Sequence, residues 1–392
     1  VVDQGGYQTF RWTPGGVVTV EPERLEIPDW PAEHPSVAPP ETEDGADRPR
    51  RIRSLGREDR LELAVAATGG VLLALFLRAV LDWQHPVTLF IWAVIGFMVL
   101  EWLMVRDRAG SLVATDRLVT VAVWTSGGIA IGVLSWMITY VVTKGIGGID
   151  WKFFTSDMSD VGPLNPGGGS LHAIIGTLQQ TLMATVVAVP LGILTAVYLH
   201  ELKGRGSALV RFTADAMSGL PSIVAGLIVY TLWVSSAGQG FSGLACSMAL
   251  VIVMLPIITR TAEEMLRTVA PGLRESSLAL GAPEWSTVVR IVLPTARAGL
   301  VTASILGVAR VVGETAPALL TAFGSASVNA NPFEGQQSNL PLFVYQLIRQ
   351  PNAVQIQRAW AGALTLVTIV ILLFIAARII SGRGAKRRGA SR

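Results

Sequence analysis

The sequence is short of charge. Only 15% of its 392 residues are Asp, Glu, Lys or Arg and 51% are apolar, where a soluble globular chain carries about a quarter charged residues. Together with a mean hydropathy of +0.51, this excludes an ordinary soluble protein and predicts a chain that crosses a membrane many times. Cysteine is nearly absent. Cys246 stands alone inside an apolar run, which rules out a disulfide framework or a cysteine-rich metal centre. His34, His85, His172 and His200 are scattered and make no metal-ligand cluster. The chain has no Gly-x4-Gly-Lys-Ser/Thr run and therefore no P-loop, so ATP-driven work would have to draw on another polypeptide. No constellation of nucleophile, base and metal ligand stands out, which argues against a membrane-embedded enzyme. A net charge of +3 decides little, because in a membrane chain the placement of Lys and Arg matters more than their sum.

What the chain does have is a series of apolar stretches. They fall at about 61–81, 87–105, 118–142, 173–198, 216–236, 243–259, 298–321 and 360–380, each long enough to cross a hydrocarbon core of roughly 30 Å as helix. The expected fold class is an all-α polytopic membrane protein with eight crossings. The fifth is the weakest, because Pro221 lies near its start and the amphipathic piece around Leu209–Met217 suits a membrane surface. Ahead of the first crossing, residues 1–60 are rich in Pro, Glu, Asp and Arg, which predicts a mostly disordered tail. One local hairpin is expected there, Tyr7–Trp12 and Val17–Val20 around Thr13-Pro14-Gly15-Gly16, and no signal-peptide pattern is visible.

The cations set the expected orientation. Arg48 to Arg60, Arg106, Arg108 and Arg117, Lys203, Arg205 and Arg211, the five arginines from Arg260 to Arg297, and Arg383 to Arg388 fall on one set of connections. The opposite set offers only Lys144, Lys152, Arg349 and Arg358. The positive-inside rule then puts both termini and the 260–297 loop in the cytoplasm. The basic tail reads as a topology signal and anionic-lipid contact, with no nucleic acid implied. The outer connections 143–171 and 322–359 are long and rich in Gly, Pro, Asn and Ser, suited to a partner on that face. Within the first, Gly167-Gly168-Gly169-Ser170 is either a flexible lead into a helix or a source of backbone N–H groups for an anion.

The most ordered polar stretch is the cytoplasmic one. Glu275-Ser276-Ser277 is followed after three residues by Gly281 and after nine more by Ile291-Val292-Leu293-Pro294, with Pro271-Gly272 and Gly281-Ala282-Pro283 each preceding an expected short helix. This spacing resembles the EAA loop of ABC importer permeases, with Ser276 and Ser277 in place of alanines. With GVARVVGETAPALLTAFG, GLPSIVAGLIVY and FFTSDMSDVGPLNPGGGSLHAIIGTLQQTL, residues 118–382 are similar to the PstA family, permease subunits of the bacterial phosphate ABC importer. The resemblance implies a six-helix type I permease core, to which this chain adds two N-terminal transmembrane helices. The domains expected are a 1–60 cytoplasmic tail, 61–117 with the extra crossings and a linker, a 118–382 permease domain with its coupling loop at 260–297, and a 383–392 basic cytoplasmic tail.

The resemblance also implies roles and partners. Glu275, Ser276, Ser277, Gly281 and Pro294 would dock and couple to an ATPase, Glu275 by a charge-assisted contact and Gly281 by permitting the reversal. The partners implied are a homologous permease (PstC-like), two ATPase subunits (PstB-like) that bind the ATP and Mg, an extracytoplasmic phosphate-binding protein (PstS-like), phosphate and membrane lipids. No cofactor is expected in this chain itself.

Two charges fall deep inside the seventh crossing. Counted from Leu300, Arg310 lies about 15 Å and Glu314 about 21 Å in, at 1.5 Å per residue. An unpaired Arg at mid-bilayer costs at least about 2.5 kcal/mol, so Arg310 should face the bundle interior. Spaced by four, the two residues share a helix face and form either a locking ion pair or a phosphate-contacting Arg with its resting counter-ion. Arg260, at the inner end of the sixth crossing, is expected either on the exit path or snorkelling beside Glu263 or Glu264. Arg78 and Glu101 read as snorkelling or packing charges, and Gln179 and Gln180 as packing amides. Other cargoes remain open from the residues alone, namely sulfate or molybdate, as does an ATP-independent secondary transporter or channel.

Overall fold

The computed structural model describes residues 57–82, 85–162, 165, 167–202, 204 and 206–389, with side chains undescribed at 57–59, 377 and 380–389. Of the expected 1–60 tail, residues 1–56 with the hairpin lie outside the described residues, whereas 57–60 already belong to α1; the side chains of the basic C-terminal tail also lie outside. The helices are α1 (Arg57–Leu81), α2 (Pro86–Ala109), α3 (Ser111–Gly145), α4 (Trp151–Thr155), α5 (Leu171–Val197), α6 (Ser207–Ser218), α7 (Ser222–Val229), α8 (Gly243–Arg267), α9 (Pro271–Ala279), α10 (Glu284–Thr287), α11 (Leu293–Val312), α12 (Ala316–Thr321), α13 (Leu340–Ile348) and α14 (Ala353–Gly389). Among the described residues there is no strand, only a single β-bridge between Phe323 and Gln337. Two compact units divide at Val123/Trp124.

In the first unit α1 and α2 lie side by side because glycine lets their backbones touch. A Cβ on Gly70 would stand 2.6 Å from the Ala93 carbonyl oxygen, and one on Gly96 3.1 Å from the Gly70 Cα. This is the small-residue contact expected where lipid removes the hydrophobic drive for association. Glu101 is buried there, with Arg117 Nε 3.3 Å from its carboxylate, so it is a packing charge, whereas Arg78 is exposed.

In the second unit the core sits where α5, α8 and α11 meet. Ile258 of α8 is fully buried and inserts between two glycines, Gly192 of α5 and Gly307 of α11, where an added Cβ would stand 2.7 and 2.5 Å from it. Leu250, Met254, Val311 and Leu342 pack around the same line. Outside that core the helices present long apolar side chains such as Leu182, Val186, Leu194 and Leu232, 63–66% exposed, as a chain solvated by lipid does.

Seven helices among the described residues are long and apolar enough to cross a membrane, and an eighth exists only if a bent pair counts as one span. The pair is Ser207–Ser218 and Ser222–Ser236, which meet at 107°. The bend falls at the fifth crossing, the one Pro221 marked as weakest, and puts the amphipathic piece on a helix of its own, because the Pro221 ring forces Leu220 out of helical geometry. The seventh crossing also differs. Continuous helix runs from Glu284 to Val312 and stops there, short of the expected 321. Pro317 would clash with the carbonyl of Gly313 if the helix went on, so the chain turns and restarts as α12.

Candidate functional site

The bend between α6 and α7 opens a cavity of about 280 Å³. Its walls are Met217, Ser218, Leu220, Ser222 and Ala225 from the bend, Ile252, Val253, Pro256 and Ile257 from α8, and Arg310 from α11. Arg310 is its one charged wall residue. It occupies the last turn of α11, where the helix dipole favours a cation, and forms an ion pair with Glu314. The pair forms even though the helix has ended between the two residues, since the Gly313 turn keeps Glu314 close, with its N–H donating to the Val311 carbonyl at 3.0 Å. The partners differ in access: the Arg310 side chain is 57% exposed and that of Glu314 9%. Ser222 opens α7, whose N-cap residue Pro221 supplies no side-chain cap. A basic fork, the Ser222 hydroxyl and an uncapped helix start thus line one small cavity, a set of donors suited to an oxyanion, while the Ser218 hydroxyl donates to the Ala214 carbonyl at 2.9 Å.

Below the cavity α6 is fastened to α8 by charge. The Arg211 fork donates to Glu263 at 2.7 and 3.3 Å, and Arg267 donates to the same buried carboxylate at 3.1 Å. Arg260 pairs with Asp215 of α6. Its expected neighbours Glu263 and Glu264 are engaged elsewhere, Glu263 as described and Glu264 with Arg267 at 3.1 Å. Both members of the Arg260–Asp215 pair are about half exposed, so the pair adds little stability and leaves Arg260 free to exchange partners.

The 267–284 loop projects α9 from the end of α8. Gly281 makes the reversal with φ +81°, a conformation that costs glycine nothing. Glu275 and Ser276 are exposed, whereas Ser277 is buried with its Oγ 2.8 Å from Thr287 Oγ1, closing α9 onto α10. Around Glu275 stand Leu273, Leu278, Leu280 and Trp285, 45–89% exposed. Arg274 anchors the other side of α9. Its Nη2 donates to Glu201 at 2.7 Å and to the Leu266 carbonyl at 3.1 Å, and its Nη1 to the Val269 carbonyl at 3.4 Å.

The second short helix expected after Gly281 is not separate, because α10 continues through a π turn, Val288–Val292, directly into α11. Pro294 is the cause. Lacking an N–H, it leaves the Arg290 carbonyl without its helical donor, and the wider π turn absorbs the fault without breaking the helix.

Comparison with known proteins agrees with this architecture. Residues 188–385 match the family described as binding-protein-dependent transport system inner membrane component. The phosphate transport system permease protein PstA 1 of Mycobacterium tuberculosis (strain CDC 1551 / Oshkosh) is 42% identical over 288 residues, 73% of this chain and 93% of that protein. The chain belongs to the PstA family. The PstA of Mycobacterium leprae is 41% identical over 277 residues, 70% of this chain and 89% of that one. That of Xylella fastidiosa (strain 9a5c) is 39% identical over 242 residues, 61% and 83% respectively. Among solved structures, a chain of the MetNI methionine ABC transporter in its inward facing conformation aligns at 22% identity and a TM-score of 0.45, over 55% of this chain and 94% of that one.

As a PstA-family member the chain is an all-α, multi-span ABC importer permease of the inner membrane. Arg310 and Glu314 are brought together at a cavity, and Glu275, Ser276, Ser277 and Gly281 at one projecting turn. Arg260 lies apart from Arg310, on the α6 side of α8. Three contributors were not legible as site residues. Ser218 and Ser222 matter only once the chain bends, and Arg274, next to Glu275 in sequence, shows only by its partners that it is an anchor. Gln179 and Gln180 pack as expected, but against the 322–339 connection. Gln180 Nε2 donates to Gln337 at 3.1 Å, Asn339 donates to Gln180 Oε1 at 2.9 Å, and Gln337 donates to Gln179 at 2.6 Å.

Proposed function

We propose that this chain forms half of the translocation pathway of an ATP-driven phosphate importer. Both termini and the α9 loop face the cytoplasm in this reading. A homologous PstC-like permease supplies the other half, two PstB-like subunits bind ATP and Mg and hydrolyse the nucleotide, and a PstS-like protein delivers phosphate outside. The observation that carries the reading is Arg310, an accessible guanidinium at the wall of a small cavity with its counter-ion on the same turn.

The chemistry follows from that pairing. At rest Glu314 neutralises Arg310, which meets the cost of a cation in the membrane. An entering phosphate competes for the guanidinium and offers two parallel acceptors, which a lysine point charge would not match. When the pathway changes access, Glu314 retakes Arg310 and the anion leaves, so occupancy stays transient. Arg260, with its half-exposed partner Asp215, offers a next cationic station toward the cytoplasm.

Coupling runs along covalent structure. From Glu284 to Arg310 the chain is one helix, on the order of 39 Å at 1.5 Å per residue. An ATPase that grips Glu275, Ser276 and the exposed leucines moves the foot of the helix whose last turn carries Arg310. Gly281, Ser277 and Pro294 shape that foot. Alternating access then follows as a population shift driven by the ATPases' own closure.

The test is Arg310→Gln in the assembled complex. Phosphate uptake should fall by at least tenfold with assembly intact, and full uptake with normal assembly would refute the assignment. Competition by sulfate or molybdate equal to that by phosphate would instead favour another oxyanion as cargo.

A further inference from the structure

Arg358, near the start of α14, is only 5% exposed and has no carboxylate in ion-pair contact among the described residues. Its Nη2 donates to the Asn165 carbonyl at 3.0 Å and its Nη1 leans on Met158 Sδ at 3.9 Å. Every other buried charge in the second unit has an ionic partner: Glu263 has Arg211 and Arg267, and Glu314 has Arg310. A buried guanidinium without counter-charge is strongly disfavoured unless something supplies one. Beside it lies a second cavity, of about 180 Å³.

Glycine backbone forms much of the wall, Gly147-Gly148 from one connection and Gly167-Gly168 from another. Gly167 and Gly168 have φ of +119° and +75°, and their N–H groups donate to no acceptor among the described residues. The next three are all taken: Gly169 by the Asp157 carbonyl, Ser170 by Phe153 and Leu171 by Ser156. Asp150 also lines the cavity, its carboxylate accepting the Phe153 N–H at 2.6 Å as the cap of α4 and making no ion pair with Arg358 among the described residues. The cavity adjoins the start of α5, while the α9 loop is held by Glu201 at that helix's far end.

We propose that this cavity is a second anion site, one that takes a phosphate-type oxyanion at the opposite end of the bundle from the α9 loop. The oxyanion gives Arg358 its missing counter-charge through the guanidinium fork and accepts the two unused glycine N–H groups. Free phosphate on its way to Arg310 and the phosphate of a lipid headgroup share this chemistry. Only the choice of phosphate among oxyanions rests on the importer reading.

The assembled complex is purified carrying Arg310→Gln, alone or with Arg358→Met, and binding of radiolabelled inorganic phosphate and of co-purifying anionic phospholipid is measured. With Arg358 present, one saturable phosphate or one retained lipid per chain is expected, and at least tenfold weaker occupancy without it. Exchange of the bound species by inorganic phosphate identifies the free anion, and a lipid that resists such exchange identifies the headgroup. Should Arg358→Met fail to assemble, Arg358→Lys keeps the charge, removes the fork and should still weaken occupancy about tenfold. Equal occupancy in all variants, or none in the presence of Arg358, overturns the proposal. The Arg310 assignment fails separately, since uptake by the single Arg310→Gln variant reports on it alone.

Discussion

Replacing Arg274 with Met should loosen α9 from the bundle and reveal how that helix is held. The substitution removes a charge-assisted bond to Glu201 at 2.7 Å and bonds to the Leu266 and Val269 carbonyls at 3.1 and 3.4 Å. The Leu266 carbonyl keeps a partner, because the Val269 N–H reaches it at 3.2 Å, so the loss concentrates on Glu201. That carboxylate is 8% exposed, and its remaining cationic neighbour among the described residues is His200 at 3.7 Å, which counts only when protonated. A charged hydrogen bond contributes about 1.5–3 kcal/mol, and stranding a buried partner about 3–5 kcal/mol. With the Arg274 side chain 22% exposed, about 2–3 kcal/mol is expected for the single variant. Glu201→Gln alone should cost about 1–2 kcal/mol. In the double variant no carboxylate is stranded, so the costs should fall short of their sum by at least about 1 kcal/mol. Unfolding of the four proteins in mixed micelles measures the cycle, and phosphate uptake should fall with Arg274→Met and recover in part in the double variant. Additivity within about 0.5 kcal/mol would show that Arg274 and Glu201 do not hold each other and would refute the reasoning.

Glu275→Ala should abolish retention of the ATPase subunits while shifting stability by less than about 0.5 kcal/mol, because the side chain is exposed; co-purification and unfolding measured side by side check both halves. Gly176→Ala would place a Cβ 1.8 Å from the Ser338 carbonyl oxygen, so the 337–339 segment must move, and faster protease cleavage there is expected, with unchanged cleavage counting against the packing. Asp157 titrates below the ordinary carboxylate range because the Ser159 hydroxyl and the Ser159 and Val328 N–H groups bond its ionised form. A lowered folded value means stability present above the unfolded pKa and lost as pH falls through the folded one. Hydrogen exchange around 156–170 and 325–329 should therefore rise only in strongly acidic buffer, and Asp157→Asn should remove that acid dependence.

Much of this architecture was written in hydropathy and spacing. The apolar runs located the spans because lipid demands length and apolarity from any helix that crosses it, and the Glu275 to Pro294 spacing located the projecting turn of α9. The misses share one cause, the local geometry that proline imposes. Pro221, already the mark against the fifth crossing, bends the chain there and shapes the cavity, Pro317 ends α11 early, and Pro294 is absorbed in a π turn, so that the short helix expected after Gly281 runs on into α11. Whether a proline breaks, bends or is tolerated depends on which carbonyl it orphans and what lies nearby, which one sequence does not display. Partner choice was hidden for a similar reason. Arg260 has three acidic residues within reach of an extended helix pair, and only the placement of α6 selects Asp215.

The seat of Ile258 between Gly192 and Gly307 limits what kind of machine this chain is. Three helices sharing one side chain against two bare backbones have no slack, so α5, α8 and α11 must travel as a single rigid block, and any change of access has to be taken up at its margins. Two joints are available there, the corner before Pro221 and the turn between Val312 and Ala316, and Arg310 stands between them. The chain is thus stiff along α5, α8 and α11 and compliant beside the guanidinium, so that any displacement passed up from the α9 loop would reshape the cavity before it deformed the core.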